Sequence, residues 1–299
     1  MTVIWSRCRL LAACAALALT LELALGPAAE AYTAAGDRIF TPTILLPQIA
    51  PSDEAYFTFS TQHPSAASRL DNLNAVYNKT LTERLSVGVE DGYNWLDPRG
   101  SSGLNNLETA VKYLAVLDPA DEFLLSGSVN REWGGTGAVG IGASPKGATT
   151  PSLLFGKGLG ELAPAYLRPL ALSGVLGYQV SDSAPRPDRW QMGLGIEYSL
   201  PYLESKVASL GLPDPLRELT PIVELLFTTP SGASYGNRST LMLAPGVNYA
   251  GAGWELGVAA LVPATRASGS GVGAAVQLHL SLDYLFAGSF LGTPIFAAP

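Results

Sequence analysis

The chain has 299 residues, a formal net charge of -7 and only 14% charged side chains, against about 25% in an ordinary soluble domain. Its mean hydropathy is +0.23, yet after residue 31 no apolar run reaches the roughly 18 residues that a membrane-spanning helix needs. The acidic balance argues against a nucleic-acid partner. What remains is a β protein with either a large apolar core or an apolar exterior.

Residues 1–31 read as a signal peptide. Arg7 and Arg9 supply the charge, residues 10–25 are largely apolar, and Ala29-Glu30-Ala31 gives the small-x-small cleavage pattern, so the mature chain begins at Tyr32. Leu11-Ala12-Ala13-Cys14 looks like a lipobox, but the stretch between Arg9 and Cys14 is too short for an apolar core of about 7–15 residues. Cys8 and Cys14 both fall inside this segment, so the mature chain has no thiol for a disulfide, a metal site or a nucleophile.

Residues 32–53 carry Pro42, Pro47 and Pro51 without regular alternation and read as a periplasmic lead-in. From residue 54 the chain alternates with a period of two, the mark of strands whose side chains point to opposite faces. Phe57 and Phe59 alternate with Thr58 and Ser60, and after the expected loop 63–72, Leu73, Ala75 and Tyr77 alternate with Asn74 and Asn78. Lys79 falls on the apolar face of that strand, as Asp91 does on the next, where Val87, Val89, Tyr93 and Trp95 oppose Ser86, Gly88, Glu90 and Asn94. Further strands are expected over 107–117, 123–132, 152–160, 170–181, 190–200, 221–228, 241–249 and 254–262. The last, 271–286, is the most regular: every even position from Val272 to Phe286 is apolar, and Tyr284 and Phe286 would sit in an interfacial aromatic girdle.

These twelve segments predict an all-β, antiparallel up-and-down transmembrane barrel of about twelve strands (ten to fourteen) over residues 54–286, with a periplasmic tail over 287–299. Apolar residues would face lipid. A sheet there must close, because hydrocarbon offers no partner to an edge. Alternate connections are tight, as periplasmic turns are, except for 160–168 and 201–218. Secretion to the bacterial outer membrane follows, with outer-membrane lipid as one partner and the oligomeric state open.

The opposite, polar face carries Glu90, Glu108, Lys112, Glu132, Glu197, Glu224, Glu255, Gln277, His279 and Asp283 as candidate lumen-lining residues. Seven acids against one lysine would favour cations in a water-filled pore; the alternative is that they pair among themselves and plug the barrel. No catalytic set, metal site or cofactor motif emerges. His279 and Ser281 share a face only because every i, i+2 pair in a strand does.

Parts of the chain resemble bacterial outer-membrane barrels labelled "MetA-pathway of phenol degradation" or transporter-like. The resemblance rests on residues 107–113 (LETAVKY), 243–249 (LAPGVNY), 254–258 (WELGV), Leu261-Val262-Pro263 and the tail 285–296 (LFAGSFLGTPIF). It implies an outer-membrane channel or transporter for small molecules, of hydrophobic or aromatic compounds, without catalytic residues. A non-transporting structural or partner-binding barrel stays open beside it.

Overall fold

A computed structural model describes residues 33–232 and 238–296, so the signal-peptide reading lies outside the described residues. Twelve long strands dominate: β1 (Glu54–Ser65), β2 (Ser68–Thr82), β3 (Leu85–Asp97), β4 (Glu108–Asp118), β5 (Phe123–Glu132), β6 (Ala148–Gly158), β7 (Leu170–Ser181), β8 (Arg189–Tyr198), β9 (Leu219–Pro230), β10 (Thr240–Gly251), β11 (Trp254–Pro263) and β12 (Gly271–Ser281). Each pairs antiparallel with the next, and β12 pairs with β1 through Ser281↔Glu54 to Gly271↔His63. The sheet is a closed barrel without an edge. A short strand, Ser101–Leu104, adds to β3 at one end.

The alternation sets the two faces as expected. Phe57, Val87, Val89, Val111, Tyr113, Leu176, Leu194, Ile196, Val223 and Val258 are exposed on the outside, whereas Ser86, Ser126, Ser173, Glu197, Glu224 and Gln277 are buried inside. This polarity is the reverse of a water-soluble barrel. Each exposed apolar side chain would cost about 25 cal/mol per Å² in water, and the belt suits hydrocarbon. Asp91 stands on this outer face between Val89 and Tyr93, where its carboxylate accepts the Gly92 N–H at 2.7 Å.

Two expected boundaries differ. The stretch 63–72 is mostly strand: β1 and β2 stay paired through Ser60↔Asn72 and Gln62↔Leu70 and turn only at Ser65 and Ser68. Beyond the apolar belt the ladder needs no apolar face, so the alternation fades while the pairing continues. The last strand ends at Ser281, and a helical turn, α1 (Leu282–Leu285), replaces the expected end with its aromatic pair. The neighbours run out there, since Ser281 pairs with the first residue of β1 and Leu280 with the first of β11. The Leu282 N–H then bonds to the Asp53 carbonyl and the Phe286 N–H to the Leu282 carbonyl.

The tight connections 83–84, 119–122 and 252–253, together with 159–169 and 199–218, gather at one end, the turn mouth. The other end, the loop mouth, carries 98–107, 133–147, 182–188 and 264–270.

Val258 lies mid-strand on the outer face, opposite Val247 and Val276. Val258→Arg is expected to cost about 2–4 kcal/mol, the range for a cation at the bilayer midplane, while Val258→Ile stays within about 0.5 kcal/mol. Denaturant titration of the protein refolded into lipid vesicles measures both.

Candidate functional site: a filled lumen

Residues 33–53 do not lead away from the barrel. They enter it, in contrast to the lead-in read from the sequence, and form a strap in the turn-side half of the lumen. The cause lies in the strap's composition. Phe40, Ile44, Leu46 and Ile49 are apolar and buried. They meet inward apolar side chains: Phe40, Leu46 and Ile49 cluster with Leu114, Leu124, Leu154 and Val175, and Ile44 with Ala244, Ala259, Leu261 and Ala275. Room for them comes from small wall residues. A Cβ on Gly193 would stand 2.3 Å from Leu46 Cδ2, and one on Gly156 2.6 Å from Ile49 Cδ1, closer than real contacts allow.

The strap lacks regular secondary structure over most of its length, so its backbone groups need other partners. The inward acids supply them. Glu224, fully buried, accepts the Ile44 N–H at 2.9 Å and the Leu45 N–H at 2.8 Å. Glu197 accepts the Thr41 N–H at 3.1 Å, and Glu255 accepts the Thr41 hydroxyl at 2.8 Å. Asn248 donates to the Pro42 carbonyl at 2.6 Å. From the other wall, Lys112 donates to the Gln48 carbonyl at 2.6 Å and the Ala50 carbonyl at 3.3 Å. Three acids and the lysine singled out from the sequence therefore hold a peptide.

At the turn mouth the strap is bound at both ends. Arg38 is fully buried: its guanidinium lies 3.3 Å from Glu122, donates to the Arg168 and Pro169 carbonyls, and stacks 3.8 Å over the Tyr202 ring. The Tyr202 hydroxyl donates to Glu122 at 2.8 Å, and burial, with that acid beside it, pushes its pKa up to about 12. Arg168, Pro169 and Tyr202 belong to or adjoin the two long turn-mouth connections, whose length is thereby put to use. At the other end Asp53 accepts from Lys79 Nζ at 2.8 Å, the Thr80 N–H at 2.7 Å and the Thr80 hydroxyl at 2.7 Å. Lys79 also donates to the Thr293 carbonyl and lies 5.5 Å from the Phe290 ring, so the C-terminal tail roofs this outward lysine.

The remaining candidates fall mainly into two groups: Glu90, Glu108 and Glu132 are neighbours across β3, β4 and β5, and His279 and Asp283 line one small cavity with Glu54. Glu90 accepts from Asn74 at 2.7 Å, Gln277 donates to the Thr58 hydroxyl at 3.0 Å, and His279 Nε2 bonds to Glu54 at 2.7 Å. Asp283 is not on β12 but on α1, where burial raises its carboxyl to about 6. Glu132 sits at the loop mouth between Asn106 at 2.7 Å and Arg186 at 2.5 Å.

Among the described residues, a smaller and a larger cavity lie above the strap. The smaller, about 50 Å³, has Pro47 and Gln48 of the strap among its walls, with Tyr56, Glu90, Glu108 and Lys112. The larger, about 430 Å³, opens at the loop mouth between Asn94, Asn105, Asn106, Glu108, Glu132, Arg186 and Arg189, with residues 141–144 as part of its wall. Glu108 lines both.

No protein-family model matches the chain, and no curated protein does. Among solved structures, the chain is similar to several outer-membrane barrels. The KdgM porin shares 11% identity over 76% of this chain and 98% of its own, with a TM-score of 0.47. The NanC porin shares 7% over 76% and 98%, with a TM-score of 0.49. The COG4313 outer membrane channel from Pseudomonas putida F1 shares 14% over 81% and 99%, also with a TM-score of 0.49. At that distance the likeness carries no argument about the site, and the resemblance to the phenol-degradation family gains no support beyond the barrel.

The sequence did not single out Arg38, Asp53, Glu122 or the inward Leu124 and Leu154. The leucines leave a trace, because Leu124-Leu125 and Leu153-Leu154 break strict alternation on strands that otherwise keep one face small.

Asp53→Ala would leave Lys79 buried without its carboxylate, which typically costs about 3–5 kcal/mol. The loss should appear in denaturant titration in vesicles, and Asp53→Asn should recover only part of it. Unchanged stability would show that the Thr293 carbonyl and the Phe290 ring suffice to hold the lysine.

Proposed function

We propose that the chain is an outer-membrane channel for small molecules whose lumen the strap holds closed. One observation supports this reading: Glu108 lines both the polar cavity at the loop mouth and the smaller one, which has Pro47 and Gln48 of the strap among its walls. The inner of the two cavities is therefore bounded by a peptide as well as by the barrel wall. The strap is held by hydrogen bonds to Glu197, Glu224, Glu255, Asn248 and Lys112, each of which a polar solute or water could replace. The resemblance implied hydrophobic or aromatic solutes; asparagine, glutamate and arginine side chains around the larger cavity favour polar ones. The reading places the loop mouth outside the cell and the turn mouth in the periplasm.

A second reading, a closed barrel that transports nothing, draws support from how completely the strap is tied at Arg38 and Asp53. Conductance in planar bilayers separates the two. Glu224→Ala frees two strap N–H groups from a carboxylate. Hydrogen bonds to charged groups contribute about 1.5–3 kcal/mol each, so open events should become at least about tenfold more frequent than in the intact protein. Deletion of residues 33–50 should give a standing conductance. Silence from the intact protein and both variants, each shown to be folded, removes the channel and leaves the closed barrel.

A further inference from the structure

The loop-mouth cavity has walls of unequal standing. Its amides and one of its ion pairs are already committed. Asn106 donates to Glu132 at 2.7 Å and to the Ser144 carbonyl at 2.8 Å, and accepts the Gly137 N–H at 3.0 Å. Arg186 donates to Glu132 at 2.5 Å and to the Lys146 carbonyl at 2.8 Å. Asn94 is bonded to both Asn72 and Asn105. These contacts fix the shape of the cavity and neutralise one acid with one base.

Two charged side chains are left over. Among the described residues, the side chains of Glu108 and Arg189 have no hydrogen bond or ion pair, although both residues line the cavity. Glu108 begins β4 and Arg189 begins β8. With neighbouring strands about 4.8 Å apart, four strand spacings put them about 19 Å apart along the wall. They face a shared space of about 430 Å³, within the range of small-molecule sites. A carboxylate with Glu90 and Glu132 as its cross-strand neighbours, and a guanidinium four strands away in the same cavity, are complementary to a solute with a cation at one end and an anion at the other.

We infer that the loop-mouth cavity is a binding site for small zwitterions of the amino-acid or short-peptide type, with Glu108 receiving the ammonium group and Arg189 the carboxylate. The planar guanidinium suits a carboxylate in two-point contact. The committed groups, Asn106, Glu132 and Arg186, hold the walls in place. No covalent step is involved. The inference rests on the channel reading and deepens it by naming its solute class, and within that reading the solute is captured beside Glu108, which also lines the cavity next to the strap.

Calorimetric titration of the intact, detergent-solubilised protein tests it, with the strap in place and no conductance required. The probes are the dipeptide alanyl-alanine, its N-acetyl form, which lacks the cation, and its C-terminal amide, which lacks the anion. The free dipeptide should bind, and each blocked form should bind about tenfold more weakly or worse, as expected for loss of one charge-assisted contact. Arg189→Gln should abolish discrimination against the amide while keeping that against the N-acetyl form, and Glu108→Gln should do the reverse. Absence of binding by the intact protein, or equal binding of all three probes, overturns the inference. If a variant fails to fold, the three probes on the intact protein still decide it. Failed binding with conductance in the strap variants sinks this site and spares the channel; binding with no conductance does the opposite.

Discussion

A sheet surrounded by hydrocarbon has to satisfy every backbone N–H and C=O within itself. That constraint organises the molecule. It requires β12 to meet β1, and the register from Ser281↔Glu54 onward achieves it. It also sends apolar side chains outward and leaves the interior with what remains. Because alternate residues face opposite ways, an outside made of Val, Leu, Phe and Tyr forces an inside read from the intervening positions.

An interior of that kind has its own problem. Glu197, Glu224, Glu255 and Lys112 are taken out of bulk water and need partners. The strap has the matching problem, a backbone without a ladder. Each solves the other's. Carboxylates accept strap N–H groups, and the lysine donates to strap carbonyls. Small side chains such as Gly193 and Gly156 let the two come close enough for apolar contact as well. The barrel is filled by residues 33–53, and its larger lumenal cavity lies on the loop side.

Much of the barrel was legible in the sequence. All twelve strands stand where the period of two puts them, because that period is a local property of the chain. Their ends were less legible. Residues 63–72 look like a loop since they lack an apolar face, and 282–286 look like strand since they keep one; in each case the presence of a pairing partner decided. Glu197, Glu224 and Glu255 stand on the buried face of their strands, where the period puts them, whereas Asp283 lies on α1 beyond the ladder. What they touch was not, because no periodicity marks residues 33–53, and contacts between Ile44 and Glu224 span 180 positions. Lys79 and Asp91 looked like errors in the pattern. Lys79 proves to be a rim residue sheltered by Asp53 and the tail, whereas Asp91 stays on the outer face with its carboxylate accepting the adjacent Gly92 N–H.

The strap runs without a break into Glu54, the first residue of β1. It is therefore a ligand on a very short tether, whose local concentration is set by chain geometry and falls in the millimolar range or above for short linkers. Its departure and return are first-order events, indifferent to how many copies share a membrane. A soluble molecule competing for the same carboxylates faces that concentration at every encounter, so weak competitors at low abundance leave the interior as it is.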